Sequence, residues 1–168
     1  MDSVRKLIFR LGFALAMAVS SMGSAKAAIT QDWAVIDYGK FGAMLAVDKS
    51  NSTYVAGSGG ISSTIVLSKF SPTGAKLWER AFESPLTRQQ ANWVTVDSLG
   101  NPIVVGMLVT ASGAGRAGLV VVKYDPAGNL LWQDTIPSSF GYAWRAATDN
   151  VGNVFVLGSR GTGLGGDL

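Results

Sequence analysis

Cysteine and histidine are both absent from this 168-residue sequence. Without cysteine the chain forms no disulfide, offers no thiol nucleophile and has no residue for a lipid anchor at a processed N-terminus. Without histidine it has no imidazole to act as a base or as a metal ligand. Because the common zinc, copper and haem sites draw on these two side chains, the sequence predicts no such cofactor.

An excess of basic charge is also missing once the N-terminal segment is set aside. The whole chain has 14 basic and 11 acidic side chains. Residues 1–27 contribute four of the basic side chains and one of the acidic ones, so ten of each sign remain. A nucleic-acid-binding domain presents a basic surface. The neutral remainder therefore predicts no nucleic acid partner.

The N-terminal segment has the pattern of a secretory signal peptide. Three basic residues precede an uninterrupted run of apolar and small residues over 11–19. Ala25 and Ala27 then supply the small-x-small pattern that signal peptidase reads, so we predict that residues 1–27 are removed. The alternative, an uncleaved anchor, needs about 20 apolar residues, and this run is shorter. We expect a secreted, periplasmic or cell-surface protein with no membrane span after cleavage.

A pattern of about 50 residues recurs along the rest of the chain. Its first half, an aspartate turn between two β-like runs, occurs at 46–57, 95–106 and 147–158. Its second half, which ends on a tryptophan, occurs at 65–78 and 120–132. A period of about 50 residues is the length of one propeller blade of the kelch class.

Each half of the pattern reads as a β-hairpin. The runs are short and rich in β-branched and aromatic residues, as at 93–96 and 103–105. The Asp-x-x-Gly-Asn turn between them suits a hairpin, because aspartate accepts backbone N–H groups while Gly and Asn tolerate positive φ. The second copy predicts strands over 92–96, 102–107, 119–124 and 130–134. Four antiparallel strands in series form one blade of a β-propeller.

The third strand of the pattern and the tryptophans that close it predict how the blades pack. Residues 119–122 are apolar throughout, as in a central strand that is buried on both faces between neighbouring blades. Trp78 and Trp132 close the first and second copies of the pattern. Their rings are large enough to fill the gap between one blade and the next.

We therefore expect an all-β chain in which 28–168 forms a partial β-propeller of about two and a half blades. A lone strand at 31–36 precedes blades at 38–82 and 91–136. An incomplete blade at 142–168 stops where its third strand should begin. An open strand edge is a template for pairing with another chain. The expectation is an N-terminal fragment of a longer ring that self-associates through its open blade edges.

The segments 97–106 and 122–132 resemble the bacterial seven-bladed β-propeller repeats. Those blades follow Asp-x-x-Gly-Asn-x-Tyr-Val-x-Gly and then Lys-x-Asp-x-x-Gly-x-x-x-Trp. The resemblance covers the chain from Trp33 onward. The first copy departs from the pattern, since Asn51 and Ser52 stand where Gly and Asn are expected. The resemblance implies an exported or surface-associated repeat protein and no particular activity.

An aromatic and basic cluster is the candidate binding site. Trp93, Tyr142, Trp144 and Arg145 are predicted to lie near the starts of the first strands of blades, with Arg88 in a preceding connection. Such positions border the central channel of a propeller, where aromatic and basic side chains suit a sugar or an anionic group. Packing between blades is the alternative role for the tryptophans. No residues form a catalytic or metal-binding set.

The recurrent aspartates Asp48, Asp97 and Asp149 have two interpretations. Oxygen-rich turns are typical of calcium loops, but those loops collect several carboxylates and carbonyls on one ion. Each turn here offers a single aspartate beside one asparagine. Capping of the turn is therefore the interpretation that we favour.

Two functions fit this pattern. The even repeat, the missing cysteine and histidine and the neutral charge favour an exported, non-enzymatic module with a binding or scaffolding role toward an unidentified ligand or protein partner. The alternative is the N-terminal part of a propeller enzyme, either quinoprotein-dehydrogenase-like or polysaccharide-active, whose site lies in further blades.

Overall fold

The computed structural model describes residues 40–59, 64–82, 87–110, 112, 115–137 and 141–159. The described part of the chain is all-β. Its strands are β1 (Lys40–Val47), β2 (Thr53–Gly59), β3 (Thr64–Phe70), β4 (Lys76–Phe82), β5 (Thr87–Val96), β6 (Pro102–Thr110), β7 (Arg116–Tyr124), β8 (Leu130–Pro137), β9 (Tyr142–Thr148) and β10 (Val154–Ser159). No helix among these residues is long and apolar enough to cross a membrane.

Several predictions from the sequence lie outside the described residues. These are the signal peptide with its cleavage site at Ala25 and Ala27, the lone strand at 31–36, and the last part of the incomplete unit at 160–168.

The strands form three antiparallel sheets in chain order. Sheet I has the order β1-β2-β3-β4, sheet II has the order β5-β6-β7-β8, and sheet III pairs β9 with β10. Within each sheet, consecutive strands therefore pair through a short connection, which is the simplest antiparallel arrangement.

A shared turn sets where the strands begin and end. In the turns that begin at Asp48, Asp97, Asp125 and Asp149, the aspartate Oδ1 accepts the backbone N–H groups two and four residues ahead, at 2.8–3.0 Å. The fourth residue of each turn has positive φ, at Asn51, Gly100, Gly128 and Gly152. The favoured interpretation of the aspartates as turn caps is confirmed, and Asn51 has a positive φ where the other turns have glycine.

Sheet II lies between two apolar cores. Alternate side chains of β6 and β7, such as Val104, Val120 and Val122, share one core with Tyr54, Leu67 and other residues of sheet I. The side chains between them, such as Val105 and Val121, share the other core with Ala143 and Ala146 of β9. Because successive side chains of a strand point to opposite faces, an apolar run buries both faces of β7. The predicted burial on both faces is confirmed for Val120, Val121 and Val122, whereas Leu119 is only partly buried.

The sheets stack in the order I, II, III. β5 contacts β1, β2 and β3 of the preceding sheet, and β9 contacts β5, β6 and β7 in the same way. The first strand of each sheet thus crosses three strands of the sheet before it. The repeat in the sequence is therefore also a repeat in the packing.

Candidate functional site

The predicted binding residues lie on two adjacent strands, β5 and β9. Tyr142 opens β9 and is followed closely by Trp144 and Arg145. Trp93 lies in the middle of β5, because that strand begins at Thr87. The prediction that Trp93 lies near a strand start is therefore wrong. Arg88 is likewise part of β5, and the prediction that it lies in a connection is wrong.

The structure brings Trp93 and Arg145 into direct contact. The guanidinium carbon of Arg145 lies 4.3 Å from the centroid of the Trp93 ring, which is a cation–π distance. Trp93 also packs against the core between sheets II and III. The Trp93 ring therefore has the packing role that was the alternative for the tryptophans. Its outer face supports an arginine.

Trp144 is presented to solvent by an irregularity of β9. Leu157 pairs with Arg145 and Gly158 pairs with Ala143, so Trp144 is the extra residue of a β-bulge. Bulges re-aim side chains and are frequent beside binding sites. The Trp144 side chain is 41% exposed, and its carbonyl accepts a hydrogen bond of 2.9 Å from Nη1 of Arg145. An exposed indole beside an arginine is an arrangement that can bind a sugar ring or an anionic group.

The aspartate turns of the three sheets come together in a row. The turns at Asp48, Asp97 and Asp149 line a shallow depression of about 230 Å³. Lys49 Nζ donates to the Ser98 carbonyl at 3.3 Å, and the Ser98 hydroxyl donates to the Asn150 carbonyl at 3.4 Å. These bonds link each turn to the equivalent turn of the next sheet. The row is a structural feature, because each carboxylate is occupied by its own turn.

The ionisation of Asp97 shows how these carboxylates are held. Burial raises the pKa of Asp97, but hydrogen bonds from Lys123 and Asn101 outweigh it, so the pKa lies below its ordinary value. Lys123 Nζ lies 2.9 Å from Oδ2 of Asp97, and both side chains are almost fully buried. No group of three or more acidic side chains in the described ranges is placed to hold a metal ion.

A second surface was not found from the sequence. A groove of about 370 Å³ lies between sheets II and III. The groove is lined by residues of β7, β8 and β10. They are Leu119 and Val121 of β7, Trp132, Asp134 and Ile136 of β8, and Val154, Val156, Gly158 and Ser159 of β10. Trp132 is 38% exposed and Ile136 is 53% exposed. The signal that could have found this groove is the repeat itself, since Trp132 stands where Trp78 stands one unit earlier.

Neither a scan of protein-family models nor a search of curated proteins gives a match to this chain.

Proposed function

We propose that this chain is an exported, partial β-propeller that acts as a binding module, with Trp144 and Arg145 as its contact surface for an acidic carbohydrate. The observation that carries the proposal is the exposed indole of Trp144 on a bulge next to Arg145. Export is supported by the pattern of residues 1–27, as set out above.

The propeller interpretation is supported by the packing of the sheets. Consecutive antiparallel strands, with four in each of sheets I and II, are the construction of a propeller blade. Face-to-face stacking of successive sheets in chain order, with the first strand of each crossing the sheet before it, is what a ring of blades requires.

A binding role is supported over catalysis by the state of the acidic groups. Asp48, Asp97 and Asp149 each accept backbone N–H groups of their own turns, and Asp97 is also paired with Lys123. A carboxylate committed in this way is a poor general base, because proton uptake would break several hydrogen bonds at once.

The test is affinity electrophoresis in gels that contain alginate, an acidic polysaccharide, with neutral dextran gels for comparison. We expect the alginate gel to retard the protein, and we expect Arg145→Gln and Trp144→Ala to reduce this retardation at least threefold. Lys49→Gln is the control, because Lys49 is an exposed cation in the Asp48 turn of sheet I and not a member of the candidate site. Equal retardation of all four proteins, or no retardation of the wild type in either gel, would contradict the proposal.

A further inference from the structure

We propose that the groove between sheets II and III is an acceptor site for a β-hairpin that repeats the pattern of β7–β8. The first strand of this hairpin would add to the open edge of β10, and its apolar side chains would fill the groove. This site is separate from the surface at Trp144 and Arg145, and the inference does not depend on the function proposed for that surface.

The same position on sheet I is already filled in this molecule. Ile65 pairs with Phe82 across β3 and β4, and Leu119 pairs with Ile136 across β7 and β8. The two pairs occupy equivalent places in the repeat. Ile65 is 2% exposed and Phe82 packs against the same core, whereas Ile136 is 53% exposed. The difference arises because β7 and its following turn cover sheet I, and no described strand covers the equivalent part of sheet II.

The hairpin β7–β8, which covers sheet I, shows which side chains an occupant of the groove needs. Val120, Val122 and Tyr124 of β7 share the core with Ile65. The turn after β7 lies against Trp78, whose Nε1 donates to the Pro126 carbonyl at 3.1 Å. The matching occupant of the groove therefore has apolar residues at alternate positions of its first strand. Its turn would lie against Trp132.

Two lysines at equivalent positions of the repeat have different partners. Lys69 of β3 donates to the Pro126 carbonyl of the following sheet at 3.0 Å, and its Nζ lies 4.0 Å from Asp48 of its own sheet. Lys123 of β7 is the equivalent residue of sheet II, and its Nζ lies 2.9 Å from Asp97. Lys123 thus pairs with a carboxylate of its own sheet, whereas Lys69 donates to a turn of the following sheet. An occupant of the groove would draw Lys123 toward its own turn carbonyl.

One substitution within the repeat gives the groove a charge preference. Arg80 of β4 donates through Nε to the Gly128 carbonyl of the covering turn at 2.8 Å. Asp134 of β8 occupies the equivalent place in sheet II, since Leu67 pairs with Arg80 and Val121 pairs with Asp134. A carboxylate repels a carbonyl and attracts a cation. The occupant is therefore expected to carry a basic side chain in its turn, which distinguishes it from β7–β8 itself.

The edge of β10 supplies the backbone pairing. β10 pairs with β9 on one side, and no strand of the described residues pairs with its other side. In sheets I and II the equivalent second strands, β2 and β6, pair with a strand on each side. An extended peptide that adds to an open sheet edge gains affinity from main-chain hydrogen bonds and specificity from its alternate side chains.

The experiment titrates the full ¹⁵N-labelled chain with synthetic peptides in solution NMR. The probe is a peptide with the sequence of residues 117–137 in which Ala127→Lys supplies the basic turn residue and Trp132→Phe removes the peptide's own indole. We expect saturable shifts of the Trp132 indole N–H, of the β10 amides and of Lys123. The peptide without the Ala127→Lys change should bind roughly fivefold more weakly.

Two further peptides test the orientation of the strand. Val120→Ser with Val122→Ser removes the side chains that would face the groove and should weaken binding at least tenfold. Leu119→Ser with Val121→Ser changes the opposite face and should change the affinity less than threefold. Equal affinity of these two peptides, shifts confined to other surfaces, or no saturation would overturn the proposal.

Self-association is a separate outcome of the same experiment. Shifts of the β10 amides that depend on protein concentration without peptide would show that a second copy occupies the groove, and would overturn the proposal of a hairpin occupant. Arg145→Gln should leave peptide binding unchanged, and Trp132→Ala should leave the alginate retardation unchanged. These two variants distinguish a failure of this inference from a failure of the proposed function.

Discussion

The interface between sheets I and II and the interface between sheets II and III use the same positions of the repeat, but they are closed to different extents. At the first, Trp78 is half-buried and its indole N–H is bonded to the next turn. At the second, Trp132 is exposed beside a groove. The first interface is covered by a four-stranded sheet and the second by the two strands β9 and β10.

A single sheet of this fold therefore does not complete its own packing. The first two strands of the next sheet cover one part of each face. In sheet III these strands are β9 and β10, and Ala143 and Ala146 of β9 are buried in the core that they share with sheet II. The rest of the face is covered by the third strand of the next sheet and the turn that follows it, as β7 and its turn cover sheet I. Stability in repeat architectures comes from such neighbour interfaces as well as from each repeat.

Replacing the two tryptophans by alanine should change the free energy of unfolding by very different amounts. Trp78→Ala should lower the free energy of unfolding by about 3 kcal/mol, because it removes a ring packed between two sheets and a hydrogen bond. Trp132→Ala should lower it by less than about 1 kcal/mol, since substitutions at exposed positions are mild. Urea unfolding of both variants measures the two values. Equal losses would show that the two interfaces are closed to the same extent.

Two glycines with positive φ differ in whether another sheet lies against their turn. Gly128 and Gly152 have nearly the same φ, +86° and +93°. A Cβ at Gly128 would lie 3.0 Å from the Trp78 ring, whereas at Gly152 it would meet nothing within 4 Å. Gly152→Ala should therefore cost about 1 kcal/mol for backbone strain alone, and Gly128→Ala about 2 kcal/mol or more. Thermal unfolding of the two variants provides the comparison, and a larger loss for Gly152→Ala would contradict it.

The stabilisation that Asp97 provides depends on pH. The pKa of Asp97 is lowered in the folded state, so its stabilisation is complete above the unfolded value near 4 and is lost as pH falls through the lower folded value. Asp97→Asn should cost about 1.5 kcal/mol at pH 7. The gap between wild type and variant should narrow below about pH 4. Urea midpoints measured from pH 7 down to pH 3 would show this, and a gap that widens on acidification would refute it.

The turns made half of the fold predictable from the sequence. The predicted strand ends at 96, 102, 124 and 130 coincide with those of β5, β6, β7 and β8, because an aspartate cap marks each of them. The opposite ends of the same strands extend three to five residues further than predicted. Between β6 and β7 the chain is closed by a backbone bond from the Thr110 N–H to the Gly115 carbonyl at 2.8 Å, and the Gly115 N–H donates to Oγ1 of Thr110 at 3.2 Å. This turn lacks the aspartate pattern that marks the other strand ends.

The candidate site was predictable only as a group of residues. The sequence places Trp144 and Arg145 side by side, but the exposure of Trp144 depends on a bulge set by the pairing of β9 with β10. The contact between Arg145 and Trp93 joins residues 52 positions apart in sequence and depends on how two sheets stack. Lys69 and Lys123 also have different partners, since Lys69 donates to the Pro126 carbonyl of the next sheet whereas Lys123 pairs with Asp97 of its own sheet. Pairing, stacking and neighbours are tertiary properties that a local pattern does not encode.

The most direct test of the claim that each sheet is completed by the next is a pair of double-mutant cycles. One cycle combines Lys123→Met with Asp97→Asn, and the other combines Lys69→Met with Asp48→Asn. We predict a coupling energy of about 2 kcal/mol for Lys123 and Asp97, which lie 2.9 Å apart. For Lys69 and Asp48, at 4.0 Å, we predict less than about 1 kcal/mol, because Lys69 is bonded to the following sheet. Equal couplings, or a stronger coupling for Lys69 and Asp48, would contradict the account.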